Sequence, residues 1–112
     1  MEWYQLTDEA QLANILELSK QQPVLIYKHS TRCSLSMMIK EHLEEEWDVN
    51  SETVLVYYLD IIANKPLSNR VAYDFHVPHQ SPQILLIQNG ECTYHTSHLA
   101  IKADKIKQQA AI

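Results

Sequence analysis

The chain has 112 residues, a mass of 13.0 kDa and 46% hydrophobic residues, which is one domain's length with enough apolar side chains for a core and excludes a disordered chain. Its formal net charge of −5, from 9 Lys and Arg against 14 Asp and Glu, leaves no basic stripe for nucleic acid. No apolar run reaches the ~18 residues of a membrane span, the single Gly excludes a Gly-rich phosphate loop, and two cysteines, Cys33 and Cys92, are too few for a disulfide scaffold.

Met1-Glu2-Trp3-Tyr4 lacks the basic start and apolar stretch of a signal peptide, so a cytoplasmic domain spanning 1–112 is expected. Trp3 to Leu6 alternates in part and reads as an edge strand. Thr7 and Asp8 offer N-cap oxygens, with Gln11 three residues after Asp8. Leu12, Ile15 and Leu16 follow at helical spacing, which predicts a helix from about Asp8 to Lys20, ended before Pro23.

Val24-Leu25-Ile26-Tyr27 is a short continuous apolar run, as in a strand buried on both faces, and is expected to end near Lys28-His29. Ser30-Thr31-Arg32 is then a turn, and Cys33 stands where a new helix opens. Leu35, Met38, Ile39, Leu43 and Trp47 mark one face of that helix, from about Ser34 to Trp47. The acidic run Glu44-Glu45-Glu46 reads as its solvated end.

Thr53 to Leu59 is a second β-prone run, closed by Asp60. Asn64-Lys65-Pro66 reads as a helix start with Pro in the first turn, and Leu67, Val71 and Phe75 line one face. Residues 77–82 carry two prolines and read as a loop. Ile84 to Ile87 is a fourth strand, Asn89-Gly90 a hairpin turn, and Glu91 to Thr96 its antiparallel partner. Ser97 is expected to cap a last helix with Leu99, Ala103, Ile106 and Ala110 on one face. The order is β-α-β-α-β-α-β-β-α, an α/β fold with helices on both faces of a mixed sheet. Strands joined by helices imply parallel pairings with right-handed crossovers.

This order, with a lone Cys after the second strand and an X-Pro before the hairpin, resembles the thioredoxin fold. Thr31-Arg32-Cys33-Ser34-Leu35-Ser36 resembles the T-x-C-P-x-S site of the monothiol bacilliredoxins, the bacillithiol-system redox family. Ser81-Pro82-Gln83 is similar to that family's S-P-Q segment, and Asn89-Gly90-Glu91 with His95-Thr96-Ser97-His98 to its hairpin and the start of its last helix. Ser34 stands where the family usually has Pro. Relative to thioredoxins, Ser36 replaces the second active-site Cys, and Tyr27 stands where many carry a buried Asp.

The resemblance implies a monothiol thiol-disulfide oxidoreductase that removes bacillithiol from client proteins, with Cys33 as nucleophile. Thr31, Arg32, Ser36, Ser81, Pro82, Ser97 and His98 would form the substrate site. Bacillithiol would be a co-substrate, no cofactor would be bound, and the partners would be bacillithiolated clients and a low-molecular-weight thiol. A helix N-terminus and the Arg32 charge favour the thiolate that does such chemistry. Ser36, one turn on, is placed to donate to it, and as Ser it cannot resolve a mixed disulfide. The Ser81–Pro82 bond would be cis beside Cys33, with the Ser81 backbone pairing with substrate. Ser97 and His98 would hold a bacillithiol carboxylate at the last helix's N-terminus.

In this topology Cys92 falls at the far end of the sheet, beyond the ~7 Å reach of a disulfide with Cys33. Cys92-x-x-His95-x-x-His98 has metal-like spacing, but strand alternation sends Cys92 and His95 to opposite faces, so no metal is expected. Two other readings stay open. One is a thioredoxin-like adaptor that has lost turnover, and the other is glutaredoxin-like iron–sulfur handling.

Overall fold

A computed structural model describes all of residues 1–112. Five strands form one mixed sheet: β1 (Trp3–Gln5), β2 (Val24–His29), β3 (Leu55–Asp60), β4 (Gln83–Gln88) and β5 (Glu91–Ser97). Their order across the sheet is β1-β3-β2-β4-β5. Four helices accompany them: α1 (Glu9–Leu18), α2 (Ser34–Glu46), α3 (Lys65–Phe75) and α4 (Ala103–Gln109). No helix is long and apolar enough to cross a membrane.

The apolar run at β2 is explained by its position. All six residues of the strand are buried, because β2 lies in the centre of the sheet with helices over both faces. Alternate side chains divide between two cores. Val24 and Ile26 join Leu85, Ile87, Leu12, Ile15, Val71 and Phe75 beneath α1 and α3. Leu25 and Tyr27 join Ile84, Leu86, Ile39, Leu43 and Ile106 beneath α2 and α4. Outer strand β5 alternates exposed and half-buried residues, as a strand with one free edge does.

The helix ends follow the local chemistry. Asp8 and Gln11 form a capping box at α1: Asp8 Oδ1 accepts from the Gln11 amide at 2.9 Å, and Gln11 Oε1 accepts from the Asp8 amide at 3.2 Å. The helix stops at Leu18, earlier than its pattern suggests, with Ser19 as C-cap. His76 ends α3 in the left-handed region at φ 56°. Asn89 and Gly90 turn the β4–β5 hairpin at φ 54° and 80°, the pair of positive angles that selects Asn-Gly.

Two expectations are corrected. Antiparallel pairing is not confined to the hairpin, because β4 also runs antiparallel to β2. The chain leaves β3 level with His29 and enters β4 level with Lys28, so α3 leads back to the same end of the sheet. Ser97 does not cap the expected last helix: it pairs with Gln83 as the last residue of β5, and its side chain makes no capping bond to the turn that follows. A short 3-10 turn (His98–Ala100) follows, opened by His98 at φ 55°, and α4 begins only after Lys102. Leu99 therefore leaves the buried face and is 67% exposed, while Ala103, Ile106 and Ala110 are buried. Strand β2 ends at His29, as expected, while β4 and β5 extend past the expected ends, through Gln88 and Ser97.

The Asp8→Ala variant is expected to lose about 1 kcal/mol of stability. The check is a lower urea midpoint at unchanged m, with a smaller loss for Asp8→Asn.

Candidate functional site

Cys33 is placed by the end of β2. After His29 the chain turns through Ser30–Arg32, and the Cys33 amide donates to Ser30 O at 3.2 Å. Cys33 is the N-cap of α2, with extended backbone, and its O accepts from Met37 N at 3.2 Å. No side chain caps this helix, so a sulfur anion formed at Cys33 meets the positive end of the helix dipole without a competing carboxylate. Cys33 is half-buried and a free thiol. Thr31 and Arg32 are exposed on the turn beside it.

Ser36 is fully buried, and its hydroxyl is committed elsewhere than to Cys33. Ser36 Oγ lies 2.7 Å from His29 Nδ1 and accepts from the Ser30 amide at 3.2 Å. The Tyr27 hydroxyl donates to Ser36 O at 2.8 Å. His29 packs between Tyr27 and Tyr58, with ring centroids 5.9 and 5.3 Å apart. Burial pushes the Tyr27 phenol up to about 12. Burial, reinforced by the Lys40 cation, pushes the His29 imidazole down, so Ser36 faces a neutral ring at neutral pH.

The second wall comes from the entry to β4. Gln83 pairs with Lys28, so Pro82 lies level with His29, at the end of the sheet where Cys33 sits. The Ser81–Pro82 peptide bond is cis. Pro82 O accepts from the His98 amide at 3.0 Å, which ties the end of β5 to this corner. Ser81, Pro82, Ser97 and His98 are thus together, and Thr31, Arg32 and Cys33 belong to the same end of the sheet. Ser97 is half-buried and His98 exposed. The helix N-terminus expected beside them is absent.

Cys92 is at the opposite end. It pairs with Ile87, which pairs through Val24 with the start of β2, about 17 Å of strand from His29. Cys92 packs against the α1 and α3 core, and burial pushes its thiol up. The alternation between Cys92 and His95 is broken by a bulge between Leu86 and Ile87 in the β4–β5 register. Cys92 pairs with Ile87 and His95 with Leu85, both members of one core, so the two residues share a face. Even so, no three His, Cys, Asp or Glu side chains are gathered to hold a metal ion.

Sequence reasoning missed Lys28. It is fully buried, donating to Ser68 O at 3.1 Å and lying 3.2 Å from His79 Nδ1. A Lys closing an apolar run reads as a strand end, and only the sheet neighbours reveal that it is covered. Burial pushes its ammonium down from 10.5 to about 8.

These features, a Cys at a helix N-terminus and a cis-Pro corner at the same end of a five-stranded mixed sheet, bear comparison with known proteins. The profile of the monothiol bacilliredoxin BrxC matches residues 4–106. The chain belongs to the monothiol bacilliredoxin family. It is also similar to a solved structure described as a candidate oxidoreductase with a thioredoxin fold, at 26% identity and a TM-score of 0.78. That match covers 96% of this chain and 92% of the other. A second similarity is to the thioredoxin of Malassezia sympodialis, an allergen, at 15% identity and a TM-score of 0.74. It covers 99% of this chain and 89% of that one, and shows the fold alone. Bacilliredoxin membership and the thioredoxin-like fold support a redox role.

Two tests arise from the buried groups. The lowered Lys28 value means that the unfolded chain holds more protons than the folded one between about pH 8 and 10.5, so stability gains as pH rises through that window. Relative to Lys28→Met, the native protein is expected to gain on the order of 1 kcal/mol or more between pH 8 and 10 in paired urea melts. At Cys92 the raised thiol holds less thiolate at neutral pH, so alkylation there is expected to be slow at pH 7 and to climb at more alkaline pH than for a free cysteine of ~8.5. Peptide mass mapping after iodoacetamide treatment reads this directly.

Proposed function

We propose that this bacilliredoxin is a monothiol oxidoreductase that removes bacillithiol from protein mixed disulfides. The observation that carries the reading is Cys33 at the N-terminus of α2, with Ser36 where a second thiol would stand and Cys92 at the other end of the sheet. In the reaction, the Cys33 thiolate attacks the bacillithiol sulfur of the mixed disulfide. The client sulfur leaves as thiolate and takes a proton from solvent, and a new disulfide joins Cys33 to bacillithiol. A second thiol, from a low-molecular-weight donor, then attacks that disulfide and returns Cys33 to the thiolate.

The surroundings suit the assignment. The Ser81 backbone makes no backbone hydrogen bond of its own and is free to pair with an extended substrate beside the disulfide. Exposed Arg32 and His98 offer donors to the carboxylates of bacillithiol, without a helix terminus behind them. No bound cofactor takes part in this scheme, and its setting is the cytoplasm, where such thiols are kept reduced.

The decisive experiment incubates the protein and its Cys33→Ala variant with a single-cysteine test protein carrying bacillithiol, and follows intact masses. The native protein is expected to gain one bacillithiol as the test protein loses it, while the variant changes neither. If the test protein loses bacillithiol no faster with the native protein than without it, the assignment fails and an adaptor role replaces it.

A further inference from the structure

A lysine buried without a carboxylate is rarely kept for packing, since a Met of similar volume fills the space without the cost of a buried cation. Lys28 is 0% exposed and takes part in no ion pair. Its ammonium reaches out of the face covered by α3, to Ser68 O at 3.1 Å and His79 Nδ1 at 3.2 Å. An ammonium only donates, so His79 Nδ1 accepts, and the His79 ring carries its proton on Nε2. Ser68 Oγ lies 3.4 Å from the same Nδ1, which closes the group.

His79 belongs to the loop that ends in Ser81–Pro82. That loop is fixed at its two ends, by Val77 N to Ala72 O at 3.1 Å and His98 N to Pro82 O at 3.0 Å. Between them, residues 78–81 make no backbone–backbone hydrogen bond. The two sheet side chains that reach the loop form one register pair, Lys28 and Gln83, and Ser68 Oγ of α3 adds the longer contact to His79. Gln83, 2% exposed, donates from Nε2 to Pro78 O at 3.0 Å. The same corner holds two buried polar atoms without partners, Gln83 Oε1 and Ser81 Oγ. The loop is thus held from inside the sheet, by few bonds.

We propose that Lys28 is a positioning residue, which holds the Ser81–Pro82 corner at its working distance from Cys33 by clamping His79 and, through Ser68, α3. The proposal rests on the thiol-exchange reading of the site and adds a residue that touches neither thiol nor substrate. Its consequence is specific. Loss of the clamp loosens the surface on which the substrate backbone lies, so binding of the mixed disulfide weakens while the sulfur chemistry at Cys33 is untouched.

The test uses the full chain and a single-cysteine peptide carrying bacillithiol, in single-turnover transfer with the protein in excess. Three variants are compared: Lys28→Met, His79→Leu and His79→Gln, the last keeping an acceptor for the ammonium. His79 sits on an exposed loop, so its variants fold even where Lys28→Met does not. Lys28→Met and His79→Leu are expected to raise the half-saturating concentration roughly tenfold, the scale of one lost charge-assisted hydrogen bond. The limiting rate and Cys33 alkylation by iodoacetamide should stay within about twofold, as for a loss of binding alone. His79→Gln should bind close to the native protein. Nitrogen chemical shifts of the His79 ring should show an Nδ1 that accepts a hydrogen bond in the native protein and a shift towards that of a free ring nitrogen in Lys28→Met.

An unchanged half-saturating concentration in folded Lys28→Met and in His79→Leu overturns the proposal. So does a parallel fall of limiting rate and alkylation, which would place Lys28's action on the thiolate. If the native protein transfers no bacillithiol at all, the exchange reading fails by itself. The ring shifts then decide about the clamp: an Nδ1 hydrogen bond lost in Lys28→Met keeps Lys28 as the anchor of the loop, and an unchanged Nδ1 shift removes it.

Discussion

The end of β2 is where the architecture and the chemistry meet. The strand is buried on both faces from Val24 to His29, so its direction is set by two cores at once. Strand β3 pairs with it on one side and β4 on the other, over nearly its whole length. A one-residue slip would exchange the two sets of side chains between cores of different shape, and this pins the register. Everything near Cys33 is then fixed relative to one point. The turn to α2 leaves from His29, Asp60 lies beside His29, and Pro82 stands level with it from the other direction.

That strand end is polar where a central strand is ordinarily apolar. Lys28, His29, Ser36 and Gln83 are all buried within one corner. Each is tied to a partner outside its own strand or helix: Lys28 to Ser68 and His79, His29 to Ser36, Gln83 to Pro78. Desolvating such groups is costly unless they are paired, so these contacts form as a set or leave orphans. The two orphaned oxygens that do remain, Ser81 Oγ and Gln83 Oε1, lie on the loop side of the corner. The polar set rigidifies the side of α2, and the loop opposite Cys33 is less fully bonded.

The fold was readable because its signals are local. Continuous apolar runs at Val24 and Ile84, helical spacing at Leu67-Val71-Phe75 and the Asn89-Gly90 turn each carry their own physics. Other features were not local. The helix expected from Ser97 fails because Gln83 draws Ser97 into the sheet, a cross-strand effect that a capping residue cannot announce. The strand direction of β4 depends on where α3 brings the chain back, which no spacing in α3 reveals. The bulge in the hairpin reverses the alternation of Cys92 and His95, although the residues around it are ordinary strand formers. Cys33 itself was legible, because the strand-Cys-helix order is written in sequence. The partners of Ser36 and Lys28 were not, because they are set by tertiary contacts.

Ser36 shows how this division bears on mechanism. In thioredoxins its position carries the thiol that attacks the mixed disulfide from within. Here a hydroxyl stands there, buried and facing a neutral His29, with the Ser30 amide donating to the same oxygen. An alcohol does not displace a thiolate from a disulfide under these conditions, and this one is further occupied in holding the turn that presents Cys33. In the proposed exchange, the same side chain thus withdraws internal resolution and stiffens the approach to Cys33. Cys92 offers no substitute, because the full length of β2 separates it from the turn. A mixed disulfide formed at Cys33 in the proposed exchange therefore persists until a thiol arrives from solution, and the half-buried, uncapped start of α2 is where that thiol has to enter.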